Sequence, residues 1–127
     1  MREIRALSTK ELGDCAEQIA LDYLLEKGFI LLERNWRRGH LEIDLIMCKD
    51  EILHIVEVRS LQAPVLKQPF ETVGRDKQKR LVKAADSYVR KNKICSEVVF
   101  DIVSVVFEKI GYKIDYLPEA FYPFMIY

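Results

Sequence analysis

The feature that most constrains the fold is the run "EVVFDIVSVVF" at residues 97–107. A strand with one face in water alternates apolar and polar residues, but this run is apolar almost throughout. It therefore predicts a strand that other elements cover on both faces. Asp101 interrupts the run. We expect it to be a buried structural aspartate that is satisfied by hydrogen bonds.

Two helical patterns can supply the covering layers. "STKE" at residues 8–11 has capping-box spacing and predicts a helix over about residues 9–27, with Gly28 ending it. A second helix is predicted over about residues 70–92, after Pro69. Its inner face is expected to carry Val73, Leu81, Ala84, Ala85 and Tyr88.

Four further segments read as strands, which are "FILLERNW", "LEIDLIM", "ILHIVEVRS" and "YKIDYL". The order along the chain is then one helix, three strands, one helix and two strands. This order predicts an α/β fold with a mixed sheet of about five strands flanked by helices. The length of 127 residues fits a single domain spanning residues 1–127. The aromatic tail "PEAFYPFMIY" is left unassigned.

Composition excludes several classes of protein. Twenty basic and twenty acidic residues give a formal net charge of zero, which argues against non-specific coating of nucleic acid but allows a local basic face. The sequence shows no apolar run of membrane length and no secretory signal, so we expect a cytoplasmic protein without a membrane partner. The three cysteines form no CxxC pair, which argues against structural zinc or a disulfide framework.

Charged residues interrupt the apolar hairpin at residues 42–60, where Asp44 lies on one strand and Glu57 and Arg59 on the next. Neighbouring carboxylates repel each other and are costly to bury without a positive partner. A divalent cation is one such partner, since Mg²⁺ takes one or two carboxylates with water and phosphate. An ion pair with Arg59 is another. Glu17, at the edge of the first helix's apolar stripe, is a third acid that packing could bring to this cluster.

Strict alternation predicts which residues share a face. On the second strand it places Ile43, Leu45 and Met47 opposite Glu42, Asp44 and Ile46, and on the third it groups Leu53, Ile55, Glu57 and Arg59. His54 then falls on the other face from Glu57, and His40 lies in a loop. We expect neither histidine to bind a metal.

The chain also resembles a known family through five ordered segments, "GDCAEQIALDYLLEKGF", "RNWRRGHLEIDLI", "HIVEVRS", "PFETVGRDKQKRLVKAADSYV" and "FDIVSV". These look like the uncharacterised YraN-like family, UPF0102, over about residues 11–105. That family resembles archaeal Holliday-junction resolvases of the restriction-endonuclease-like, PD-(D/E)XK fold. The resemblance implies this fold and a metal-dependent DNA endonuclease, acting on branched DNA such as Holliday junctions.

The resemblance also implies roles for particular residues. Asp44 matches the aspartate of the family's G-E-I-D motif, Glu57 the acid of its E-V-K motif and Glu17 its helix glutamate. In nucleases of this fold these acids hold Mg²⁺ or Mn²⁺ with a main-chain carbonyl, here that of Val58. Such a metal polarises the scissile phosphate and lowers the pKa of a bound water.

Two positions depart from the family pattern. Leu41 occupies the position of the family's glycine, and Arg59 occupies the position of its catalytic lysine. Arginine can donate forked hydrogen bonds to phosphate, but it stays protonated and cannot act as a base. Two other functions therefore stay open: a catalytically impaired nucleic-acid-binding protein of the same fold, and a protein-interaction module using the aromatic tail and a sheet edge.

Two basic segments, "RNWRR" and "GRDKQKRLVK", are candidates for contact with nucleic acid phosphates. The expected contacts are Arg34, Arg37, Arg38, Arg75, Lys77, Gln78, Lys79 and Arg80. The resemblance places Lys77 and Gln78 beside the acidic cluster. No base-reading motif is evident, so recognition of shape and backbone is expected. Symmetric cleavage of a junction needs two matched sites, which predicts a two-fold homodimer.

Overall fold

The computed structural model describes residues 7–67 and 72–123. In these ranges the predicted order of one helix, three strands, one helix and two strands is confirmed. The elements are α1 (Thr9–Glu26), β1 (Ile30–Arg38), β2 (Leu41–Lys49), β3 (Ile52–Gln62), α2 (Arg75–Lys91), β4 (Val98–Phe107) and β5 (Tyr112–Phe121).

The five strands form one mixed sheet in the order β1-β2-β3-β4-β5. All neighbours are antiparallel except β3 and β4, which are parallel. A parallel neighbour requires a crossover connection, and α2 lies within it. The parallel register places Glu57 beside Ile102 and Arg59 beside Ser104. The predicted α/β fold, with a mixed five-stranded sheet flanked by helices, is confirmed.

The two helices cover opposite faces of the sheet. On one face the apolar stripe of α1 packs over Leu45, Met47, Val56 and Val103. On the other, α2 packs over Ile46, Ile55, Phe100 and Ile102. Strand β4 is buried along almost its whole length, as its largely apolar run predicts. Burial of apolar surface on both faces is the main source of stability for such a sandwich.

The start of α1 is the predicted capping box. The Ser8 hydroxyl accepts a hydrogen bond from the Glu11 N–H at 3.1 Å, and the Glu11 carboxylate accepts one from the Ser8 N–H at 3.2 Å. Past the other end of the helix, Gly28 has a φ of +93°. Glycine adopts this left-handed conformation without the penalty that a Cβ would bring.

The predicted start of α2 near residue 70 is wrong. The helix begins at Arg75, and Thr72 to Gly74 are not α-helical, while Pro69 and Phe70 lie outside the described residues. Gly74 is the N-cap with extended backbone, at φ −72° and ψ 172°. Glycine is a poor residue for a helix interior and a tolerated N-cap, which explains the later start. Val73 is buried in the core under α2 although it precedes the helix.

Strand β5 extends four residues further than "YKIDYL" predicts, and so takes in part of the aromatic tail. Phe121, its last residue, stacks on Phe100 with ring centroids 5.1 Å apart. Pro118 is tolerated because β5 is an edge strand, where a missing N–H leaves no neighbouring strand unpaired. Residues 124–127 lie outside the described residues. Within the described part of the chain, no helix is long and apolar enough to cross a membrane.

Asp101 is the buried, hydrogen-bonded aspartate that we expected, with 0% of its surface exposed. Its carboxylate accepts hydrogen bonds from the Tyr116 hydroxyl at 2.8 Å and the Glu119 N–H at 2.9 Å. The Nδ1 of His54 lies 2.6 Å from the same carboxylate. Burial, and then the charge of Asp101, raise the pKa of Tyr116 above the usual range, which keeps its phenol protonated as a donor.

We predict that Asp101→Ala lowers the free energy of unfolding by about 3 kcal/mol, because it leaves three partly buried polar groups without their partner. Urea denaturation measures the change. Asp115→Ala, on the exposed neighbouring strand β5, is the matched control and should change stability by less than about 0.5 kcal/mol. Equal losses in both variants would show that Asp101 does not organise this part of the sheet.

Candidate active site

Asp44 and Glu57 come together where β2 and β3 separate. The paired residues of this hairpin run from Lys49 and Ile52 at the turn to Leu45 and Val56, and both strands continue past that point. Beyond the last pair, the Val58 N–H donates a hydrogen bond of 2.8 Å to the Asp44 carboxylate. The Asp44 side chain therefore occupies the gap between the two strands.

The predicted alternation along β2 is wrong at this point. Ile43 packs with Ile46 in the core under α2, whereas Leu45 packs in the core under α1. On β1, Asn35 lies between the residues that pair with Leu45 and Ile43, and its φ is +52°. The irregularity in both strands coincides with Asp44. The residue that carries the acid is thus the residue at which regular alternation stops.

The two carboxyl groups are close enough to share a hydrogen bond, which requires one proton between them. Burial of Asp44, and then the negative charge of Glu57, raise the pKa of Asp44 to about 7. The Val58 N–H and the charge of Lys77 oppose this rise. Glu57 is itself buried, with 3% of its surface exposed. The folded chain therefore keeps the Asp44 carboxyl protonated up to near neutral pH.

Two cationic side chains approach Glu57 from different elements. Arg59 Nη1 lies 3.6 Å from the Glu57 carboxylate, and Lys77 Nζ, from the first turn of α2, lies 3.5 Å from the same oxygen. Neither contact is a forked ion pair. Arg59 approaches Glu57 through one nitrogen, and it therefore does not neutralise Asp44 and Glu57 together. Lys77 was selected from the sequence as a phosphate contact, and its approach to Glu57 follows from how α2 packs on the sheet.

Arg59 also has hydrogen-bonding capacity left over. Its Nε is buried and, like the buried hydroxyl of its register neighbour Ser104, it has no hydrogen-bond partner among the described residues. Buried donors without a partner are rare, and at functional sites a water or a ligand commonly satisfies them. Ser104 is a site neighbour that the sequence analysis missed, because only the parallel register brings β4 beside Arg59.

Glu17 approaches the acid pair from α1, which covers the face of the sheet opposite α2. Burial, and then the charge of Asp44, raise the pKa of Glu17, while a hydrogen bond from Asn35 and the charge of Arg34 lower it. Glu17 is therefore within electrostatic range of Asp44. Even so, no group of three His, Cys, Asp or Glu side chains in residues 7–67 and 72–123 is arranged to surround a metal ion. The described site is a two-acid pair with a third acid nearby.

The chemistry of the acid pair fits a small divalent cation. Mg²⁺ and Mn²⁺ prefer oxygen ligands, and Mg²⁺ commonly takes only one or two carboxylates and completes its shell with water and phosphate. Two adjacent carboxylates that resist ionising together would be stabilised by a cation that displaces their shared proton. The pair could therefore supply carboxylate donors to Mg²⁺ or Mn²⁺.

The basic residues of "RNWRR" lie mostly away from the acid pair. Arg34 donates a hydrogen bond of 2.8 Å to Gln18 on α1, and Arg37 pairs with Glu42 at 3.2 Å. Arg38 donates one of 3.0 Å to the Ser87 hydroxyl on α2.

On α2, only Lys77 reaches the acids. Gln78 uses its amide nitrogen to donate a hydrogen bond of 3.0 Å to the Val73 carbonyl, which tethers the segment before the helix. Arg75, Lys79 and Arg80 are exposed. The eight predicted nucleic-acid contacts therefore lie in three places. Lys77 lies beside the acid pair, Arg75, Gln78, Lys79 and Arg80 lie elsewhere on α2, and Arg34, Arg37 and Arg38 lie on β1.

Comparison with known sequences identifies the family. A profile of the uncharacterised protein family UPF0102 matches residues 16–105. The chain belongs to the UPF0102 family. A UPF0102 protein of Bacteroides thetaiotaomicron is 43% identical over 113 residues, covering 89% of this chain and 93% of the relative. One from Dictyoglomus turgidum is 36% identical over 118 residues, covering 91% and 100% respectively. The resemblance drawn from the sequence is confirmed at the level of the family.

We predict that stability falls as the pH rises through the titration of Asp44. In the unfolded chain this carboxyl ionises near its ordinary pKa of 3.8, whereas in the folded chain its pKa is about 7. Between these values the folded state keeps a proton that the unfolded state has released. The free energy of unfolding should therefore fall with rising pH, by up to about 1.4 kcal/mol per pH unit.

Asp44→Asn should largely remove this fall, because the amide can still accept from Val58 and can donate to Glu57 without titrating. Urea denaturation between about pH 4 and about pH 8 measures the slope. Asp50→Asn, at the exposed turn of the same hairpin, should keep the wild-type slope. A wild-type slope in Asp44→Asn would contradict the assignment of the titration to the acid pair.

Proposed function

We propose that this UPF0102 protein is a metal-dependent DNA endonuclease of the PD-(D/E)XK type that acts on branched DNA such as Holliday junctions. The observation that carries the proposal is the pair of half-buried Asp44 and buried Glu57, flanked by Arg59 and Lys77 at the open end of the hairpin. Acids whose pKa is strongly shifted by burial and by a neighbouring charge are typical of functional sites. The restriction-endonuclease-like assignment of the α/β fold, and a cytoplasmic location beside the DNA, belong to the same proposal.

In this proposal Mg²⁺ or Mn²⁺ would be held by Asp44, Glu57 and the main-chain carbonyl of Val58, with Glu17 as the nearby third acid. When bound, the ion supplies a Lewis acid for the phosphate and an activated water. The Val58 N–H holds the Asp44 carboxylate in the gap between the strands. Arg59 and Lys77 offer cationic donors to phosphate oxygens and stabilise the negative charge that develops there. A two-fold homodimer would present two such sites to a symmetric junction.

A second candidate is a catalytically impaired protein of the same fold that binds nucleic acid. The observation in its favour is Arg59, which stands at the position of the family's lysine and cannot accept a proton. A third candidate is a protein-interaction module. It is favoured by the edge strand β1, where Ile30 is 63% exposed and Leu32 is 43% exposed.

We predict that the protein cleaves labelled junction DNA with Mn²⁺ or Mg²⁺, and that Glu57→Gln lowers the rate at least about 100-fold because it removes one charged ligand. A panel of duplex, single-stranded, flap and four-way junction DNA identifies the substrate.

Mn²⁺ should also raise the free energy of unfolding of the wild type by about 1–3 kcal/mol, and that of Glu57→Gln by much less. Glu33→Gln, an exposed acid on β1, is the control for both measurements. Metal-independent cleavage, or no effect of Glu57→Gln on either measurement, would reject the proposal.

We predict that Arg59→Lys raises the cleavage rate at least about ten-fold at unchanged DNA affinity, because lysine can handle a proton that arginine cannot. Single-turnover cleavage with saturating protein measures the rate. Arg75→Lys, at the exposed start of α2, makes the same chemical change away from Glu57 and should leave the rate unchanged. If the wild type is inactive and Arg59→Lys cleaves, the impaired-protein candidate is favoured. If both proteins cleave equally, Arg59 does not limit the reaction.

A further inference from the structure

A cleft of about 570 Å³ opens between the end of β1 and the last turn of α2. Trp36, Arg37 and Arg38 line it from the strand, and Arg90 and Lys91 line it from the helix. Four of these five side chains are cationic. Arg90 and Lys91 were not among the residues that the sequence singled out, because about fifty positions separate them from "RNWRR".

The two walls of the cleft are attached to each other by specific contacts. Trp36 packs edge-on against Tyr88, with ring centroids 5.8 Å apart and an interplanar angle of 87°. Beside it, the Arg38 guanidinium donates a hydrogen bond of 3.0 Å to the Ser87 hydroxyl. The cleft is therefore a built feature of the β1–α2 packing, and its cations are presented together.

The cleft keeps an excess of positive charge. Arg37 pairs with Glu42 at 3.2 Å and Arg90 with Asp86 at 3.0 Å, while Arg38 and Lys91 have no carboxylate partner among the described residues. Both pairs are exposed to solvent, so they contribute little to stability and can be exchanged for a stronger anion. In a chain with zero net charge, this is a local concentration of two unbalanced cations.

Helix electrostatics explains only part of this arrangement. Cations in the last turn of a helix interact favourably with its dipole, which accounts for Arg90 and Lys91. It does not account for Arg37 and Arg38, which β1 brings to the same place beside Trp36. Guanidinium groups beside an aromatic ring match a sugar-phosphate backbone, since the fork binds phosphate and the ring offers a stacking surface.

We propose that this cleft binds the phosphodiester backbone of the DNA strand that leads to the acid pair. The inference rests on the proposed function for the identity of its ligand, and it joins Arg90 and Lys91 of α2, which the sequence did not indicate, to the predicted contacts Arg37 and Arg38. The two regions lie about 10 Å apart along β2, from Asp44 to the Leu41 that pairs with Arg38, and about 20 Å apart along α2, from Lys77 to Arg90. At about 3.4 Å per nucleotide of a duplex strand, the cleft would hold the backbone about three to six nucleotides from the cleaved bond.

The protein contains its own probe for this test, because Trp36 is its only tryptophan and lines the cleft. Titration with duplex and four-way junction DNA, without divalent metal so that no cleavage occurs, should quench the tryptophan fluorescence. The double variant Arg37→Gln/Lys91→Gln removes one exposed cation from each wall. We expect it to weaken binding about ten-fold and to reduce the slope of log K against log salt by about two.

The matched control is Lys27→Gln/Lys49→Gln, which removes two charges on the α1 side of the sheet, where these lysines lie over Tyr23 and Phe29. It should retain the wild-type affinity, quenching and salt slope. Equal losses in the two double variants would overturn the inference, since binding would then depend on total charge. Equal binding of poly-glutamate and DNA, with the same quenching, would also overturn it, because the cleft would then fit an acidic protein.

The outcome can be separated from that of the proposed endonuclease activity. If the cleft variants lose DNA affinity while no variant or metal gives cleavage, the inference stands and the nuclease proposal fails. If the wild type cleaves DNA but the cleft variants bind and quench as the control does, the nuclease proposal stands and this inference fails.

Discussion

The repulsion between two neighbouring carboxylates, half-buried Asp44 and buried Glu57, is the constraint around which the rest of the site is arranged. Leaving both ionised in the gap between β2 and β3 would be costly, because charge in a buried position loses its hydration. The structure limits this cost with a shared proton, the Val58 N–H and the two cations that approach Glu57. None of these partners cancels the repulsion completely. A site that stays strained in this way is expected where a ligand, rather than the fold, completes the interaction.

Asp101 differs from Asp44 and Glu57 in how fully its carboxylate is hydrogen-bonded. Asp101 is also a buried acid in a central strand, but the surrounding sheet meets it with a hydroxyl, a main-chain N–H and an imidazole. Its partners come from elements that must pack there in any case, so it joins β3, β4 and β5 into one unit. Around Asp44 and Glu57 the hydrogen bonding is incomplete, and Arg59 and Ser104 each keep a buried atom without a partner among the described residues. Asp101 is therefore a structural acid, whereas Asp44 and Glu57 form a candidate site.

The packing of α2 connects the acid pair with the basic cleft. Its first turn delivers Lys77 to Glu57, its middle packs on the sheet, and its last turn carries Arg90 and Lys91 to the edge strand β1. A single rigid helix thus fixes the spacing between a candidate metal pair and a candidate backbone-binding surface. Because the helix lies within the crossover that the parallel β3–β4 pairing requires, this spacing depends on the topology of the sheet.

Local sequence determined much of the architecture. The capping box and Gly28 set the limits of α1, the largely apolar run at residues 97–107 required a strand covered on both faces, and the short hairpin brought Asp44 and Glu57 onto neighbouring strands. Their motifs also indicated the family. These features depend on interactions between residues close in the chain, so periodicity and turn chemistry reveal them.

Only the tertiary structure decided the break in alternation at Asp44, the approach of Lys77 to Glu57 and the meeting of Arg37 and Arg38 with Arg90 and Lys91. Each of these depends on how elements far apart in sequence pack together. Charged side chains on a helix surface have no period that reveals their partner across the fold, so it was the family resemblance, and not local periodicity, that placed Lys77 beside the acids.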